Sequence, residues 1–94
     1  MPKVVWSDAA TDHLDFITSY IELFDVNAAA KIAERLWKIG ESLSDFPQRG
    51  RPAGHGEREL VNVRPYILRY TVEHDVVLIL SIRHSAQQSS DYEA

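Results

Sequence analysis

The spacing of apolar residues changes once along this chain, from every third or fourth position to every second, and that switch limits what it can fold into. Ala10, Leu14, Ile17, Ile21 and Phe24 fall on one face of a helix, and Ser7 and Asp8 just before them offer side-chain oxygens to cap it. Asp25 and Asn27 are good caps for a second helix, carried by Ala29, Ile32, Leu36, Ile39, Leu43 and Phe46. Pro47 disfavours helical geometry at the residue before it and stops this helix near Phe46. Two helices joined by so short a link pack antiparallel. Gly40 interrupts the second at a cost of about 1 kcal/mol relative to Ala, which implies close backbone approach by the first helix.

Lys3 to Trp6 is a Val-rich run ending in an aromatic residue, consistent with a short strand. Residues 47–56 (PQRGRPAGHG) hold three of the four glycines and two of the four prolines and are expected to form an exposed loop. Beyond them Arg58, Leu60 and Asn62 alternate with Glu59, Val61 and Val63. Tyr66, Leu68, Tyr70 and Val72 likewise alternate with Ile67, Arg69, Thr71 and Glu73. Glu73, His74 and Asp75 form a tight turn. Val76 to Ile82 is almost entirely apolar, as in a central strand covered on both faces. The order β-α-α-β-β-β predicts an α+β fold, an N-terminal strand and an antiparallel helical hairpin packed on a small, mainly antiparallel sheet. Residues 1–94 are read as one domain: hairpin about 8–46, loop 47–56, sheet about 57–84 and polar tail 85–94.

Composition removes several functions. The chain has no cysteine, so disulfides, thiolate metal sites and thiol catalysis are excluded. His13, His55, His74 and His84 are scattered, with no pair at metal-ligand spacing, and no metal or cofactor is expected. The segment GRPAGHG lacks the Gly-Lys-Ser/Thr ending of a phosphate-binding loop and follows a helix rather than a strand. No stretch approaches 18 apolar residues and the N-terminus is not a secretion signal, so a cytoplasmic location without membrane contact is expected. The formal net charge of −4 argues against a surface that grips phosphate throughout. Residues 1–48 carry four bases and eight acids, whereas residues 49–94 carry six of each, which makes the sheet the better face for an acidic partner.

Taken in order, VVWSDAATDHLDFI, AAKIAERLWKIGESLSDFPQRGRP, REL, YILRY and VVLILSIRH resemble the RelE/ParE superfamily of toxins from type II toxin–antitoxin systems, over nearly the whole chain. That superfamily holds two activities on one fold: RelE-like members cut messenger RNA on the ribosome, and ParE-like members poison DNA gyrase by binding. Strand positions that supply cations in RelE-like nucleases correspond here to Glu59, Val61 and Ile67. In a second nuclease branch the matching positions hold Val61 and Pro65, leaving His84, with loop His55 as its one companion. Resemblance to the ParE-like branch therefore implies a gyrase inhibitor neutralised by a cognate antitoxin. That partner is acidic, folds on binding, forms a hetero-oligomer with the toxin and makes the only DNA contact. Two alternatives stand beside it: a metal-independent endoribonuclease using His84 as acid or base, and a weakly toxic antitoxin-binding co-repressor.

For target contact the candidates are Arg58, Arg69, Arg83, His84 and Gln87, the last standing where ParE-like chains often carry a cation. Arg69 and Arg83 share a face of adjacent strands, free for carboxylate or phosphate or else paired internally with Glu59 or Glu73. His84 is a general base or a hydrogen-bonded structural residue, and Tyr92 either assists it or lies exposed. Leu14, Ile17, Tyr66 and Tyr70 are expected to line an antitoxin-binding groove between hairpin and sheet. Trp6 and Trp37 are read as core or hairpin-packing residues, and Trp37 joins the groove liners as an anchor for a partner if it is exposed.

Overall fold

The structure, a computed structural model, describes residues 1–86. Its elements are β1 (Lys3–Trp6), α1 (Asp8–Glu22), α2 (Val26–Glu41), a 3-10 turn at Ser42–Ser44, β2 (Arg51–Gly54), β3 (Glu57–Leu60), β4 (Tyr66–Glu73) and β5 (Val76–His84). The strands form one sheet in the order β1-β5-β4-β3-β2, with β1 parallel to β5 and the other pairs antiparallel. This is the α+β arrangement the sequence predicts, with one strand more.

Local chemistry sets the helix starts. Ser7 Oγ accepts from Ala10 N at 3.0 Å and Asp25 Oδ1 from Ala28 N at 3.0 Å, so each helix begins with an orphan N–H satisfied. Ser42 Oγ donates to the Ile39 carbonyl at 2.6 Å, and the helical path tightens into the 3-10 turn before its last backbone bond, from Phe46 N to Ser42 O. This tightening swings Phe46 off the apolar stripe, and Phe24, beyond the end of α1, is exposed as well. Ala10, Ile17, Leu36 and Leu43 from the helical layer meet Leu60, Leu68, Tyr70, Val77, Ile79 and Ile82 from the sheet in one core.

Three expectations need correction. Residues 47–56 are not simply a loop, because Arg51–Gly54 pairs with β3 as an edge strand. Pro52 is tolerated there because an edge strand needs fewer donors. Gly54, His55 and Gly56 all take positive φ (87°, 54° and 76°), which lets the chain reverse between β2 and β3. Gly40 is small to admit Trp6 rather than α1: a Cβ there would sit 2.5 Å from Trp6 Cζ2. Finally, β5 is central, between β1 and β4, but only Val77, Ile79 and Ile82 are buried, while Leu78 and Leu80 are half-buried.

A bulge in β5 decides which side chains face which way. Arg69 pairs with Ser81 but Tyr70 with Ile79, so Leu80 is an extra residue. Ser7 Oγ donates to the Leu80 carbonyl at 3.1 Å, and Ile82 N donates to His13 Nδ1 at 3.1 Å, so α1 holds the bulge from both sides. Without it, strict alternation from Val77 and Ile79 would turn Arg83 toward the helices.

Candidate functional site

Two regions gather chemically distinctive side chains, one on each face of the sheet. On the face away from the helices, register places Glu59 of β3 beside Arg69 of β4, with Arg51 of β2 beyond it and Arg83 of β5 on the other side. The Glu59 side chain sits where these meet, only 6% exposed. Its Oε1 is 3.3 Å from Arg51 Nη2, and its Oε2 is 2.6 Å from Arg69 Nη2 and 3.3 Å from Arg83 Nη2. Arg69 Nη1 also lies 3.5 Å from Glu57 Oε1. Burial pushes the Glu59 carboxyl up. The hydrogen bond and charge of Arg69, with the Arg83 and Arg51 bonds, outweigh that and hold it below the ordinary carboxylate value. Arg69 and Arg83 thus share a face as the sequence indicates, and both are bonded to Glu59. Arg51 joins them because residues 51–54, whose proline and glycine content predicts a loop, form the edge strand β2. The available signal was Gly-His-Gly between RPA and EREL, a hairpin connection.

On the helix side a groove of about 360 Å³ runs between α1 and the ends of β4 and β5. It is lined by His13, Phe16, Ile17, Tyr20, Tyr66 and Ile82, with Arg83 and His84 at its end. Phe16 is 72% exposed, and with Tyr20 and Leu23 it gives α1 a second apolar stripe, displaced from its core stripe. Spacings of four and three carry this stripe just as they carry the core one, and in the sequence the longer Ala10–Phe24 series masks it. His84 stands edge-on to Tyr66 with ring centroids 5.7 Å apart, and its Nδ1 accepts from Ala86 N at 3.0 Å.

Of the expected groove liners, Ile17 and Tyr66 are in place. Leu14 packs against the core instead. Tyr70 is fully buried, its hydroxyl accepting from Gly50 N at 2.8 Å and donating to the Pro47 carbonyl at 2.9 Å, so it pins the β2 approach and lines no groove. Arg58 is likewise taken up internally, donating to the Gly50 carbonyl at 2.7 Å on the face opposite Arg69. Trp37 is 49% exposed and stacks on Trp6 at 5.1 Å, away from both regions. Gln87 and Tyr92 lie outside the described residues. Among the described residues no three His, Cys, Asp or Glu side chains gather in a metal-holding group, and no helix is long and apolar enough to cross a membrane.

Comparison with known proteins gives a consistent picture. A family profile described as the ParE toxin of the type II toxin–antitoxin system parDE matches residues 4–89. Toxin RelE2 of Caulobacter vibrioides is 44% identical over 87 residues, covering 93% of this chain and 99% of that protein. Putative toxin Y4kP of Sinorhizobium fredii is 38% identical over 88 residues, covering 92% and 91%. A solved structure described as the chromosomal ParDE TA system from P. aeruginosa superposes with a TM-score of 0.78 at 26% identity, covering 89% of this chain and 96% of that one.

Proposed function

Because the chain belongs to the ParE toxin family of type II toxin–antitoxin systems, we propose that it acts by gripping DNA gyrase and is neutralised when an antitoxin occupies the α1 groove. The observation that carries the first half is the state of the sheet's cations. Breaking a phosphodiester requires cations free to meet developing charge beside a group that moves a proton. Here Arg51 joins the Arg69–Arg83 pair that the sequence indicates, and all three converge on a carboxylate of the same chain. The imidazole of His84 pairs in register with Tyr66, on the helix side of β5. Arg51 and Arg69 lie on the opposite face, and Arg83, which reaches the groove end beside His84, is held by Glu59.

The groove supports the second half. Phe16, Ile17, Tyr20, Tyr66 and Ile82 form an apolar trough with His13, His84 and Arg83 along it. An amphipathic helix with carboxylates beside its apolar stripe complements both features, and a disordered acidic tail that folds on docking fits that description. The structural relative is described as a ParDE pair, which supports an antitoxin as the occupant.

The test is a supercoiling assay with purified gyrase and relaxed plasmid. Toxin should block supercoiling and added antitoxin should restore it; full supercoiling at toxin excess removes the gyrase reading. A second reading, ribosome-dependent cleavage of mRNA with His84 as acid or base, is favoured by the arginine cluster and by the name of the RelE2 relative. It predicts new 5′ ends on translated messages that vanish with His84→Ala.

A further inference from the structure

At the centre of the Glu59 cluster, Arg69 holds more donors than its acceptors use. Three guanidinium groups from β2, β4 and β5 meet two carboxylate oxygens, one engaged by Arg51 and the other shared by Arg69 and Arg83. Glu57 accepts a further Arg69 nitrogen only at 3.5 Å. Arg69 Nε is buried and, among the described residues, meets no acceptor at all, an uncommon state for a buried donor. A planar carboxylate on a short stem cannot reach every N–H that surrounds it. A phosphate group, with more acceptor oxygens spread tetrahedrally, matches three convergent guanidiniums better. Access exists: Arg51 is 59% exposed, and a depression of about 300 Å³ lined by Arg51, Arg64, Ile67 and Ser85 opens beside it and brings a fourth guanidinium.

We infer that Arg51, Arg69 and Arg83 form a phosphate-binding site that Glu59 keeps shut as an internal competing anion. The cluster of three arginines, Glu59 and Glu57 has a net charge of about one positive unit, and polyanion binding falls with each cation so neutralised. Glu59 thereby sets what this face accepts: with its charge present, phosphodiesters are turned away; with it removed, they bind. The inference does not depend on the gyrase reading, since it is tested on purified toxin without gyrase.

The probes are a fluorescein-labelled single-stranded RNA 12-mer and inorganic phosphate, used with the full chain at low salt. Glu59→Gln should bind the RNA at least about tenfold more tightly than wild type, with a log affinity against log salt slope steeper by about 0.7 for each phosphate newly held. Adding Arg69→Gln should abolish the gain. Inorganic phosphate displacing the RNA identifies the phosphate group itself as the ligand, whereas RNA held against excess phosphate identifies the polynucleotide; either supports the site. A folded Glu59→Gln variant that binds RNA no better than wild type overturns it. Should Glu59→Gln fail to fold, Glu59→Ala is titrated with inorganic phosphate and its arginine Nε–H resonances followed by NMR, with wild-type protein, whose Glu59 keeps the site shut, as the unshifted control. Saturable shifts centred on Arg69 support the inference, and shifts absent or spread over all arginines overturn it.

Discussion

Glu59 stabilises this fold only while it is charged. Its carboxyl titrates below the ordinary value of about 4.3, through the balance of burial and three arginines already described. For a lowered carboxyl the contribution is complete above the unfolded value and is lost as pH falls through the folded one. Urea unfolding should therefore show stability declining below about pH 4.3, and Glu59→Gln should flatten that decline. At pH 7 the same variant should cost about 2 kcal/mol, less than a fully buried pair because Arg51 remains in contact with water. Tyr70 is a second such residue. Tyr70→Phe keeps the ring but leaves the buried Gly50 N–H without its acceptor. Thermal unfolding should register a loss of about 1–3 kcal/mol, whereas a surface tyrosine would register almost none.

Among the elements, both helices, β1, β3, β4, β5 and most of the core are legible in the spacing of apolar residues, because each buries one stripe or one face. What stayed hidden was set by contacts between elements. Strand β2 has Pro52 and flanking glycines, a composition that says loop, and it is a strand because β3 accepts it as a neighbour. The Leu80 bulge is invisible to a period-two pattern and depends on Ser7 and His13 reaching across from α1. The same holds for Gly40, whose reason lies in β1. Gly40→Ala should gain about 1 kcal/mol of helix propensity but lose more by driving a methyl group into Trp6, a net destabilisation of about 1–2 kcal/mol, with altered near-ultraviolet dichroism from the displaced Trp6–Trp37 stack. The second stripe of α1 invites the opposite experiment. Phe16→Asp should leave stability within about 0.5 kcal/mol, since the ring is mostly exposed. It should weaken antitoxin binding at least about tenfold in calorimetric titration.

At the scale of the whole molecule, the sheet separates two faces with different charge and apolarity. One presents an apolar trough beside α1, and the other presents arginines already joined to a carboxylate. The fold by itself permits both cutting and gripping; the placement of Glu59 and His84 is what favours gripping. The most direct measurement of that claim is the amount of protein-linked broken DNA formed with purified gyrase, plasmid and toxin, read after detergent and protease treatment. The account predicts linear plasmid that rises with toxin, requires gyrase and disappears with antitoxin. Plasmid that stays intact, while the same toxin preparation cuts messages on translating ribosomes, would contradict it.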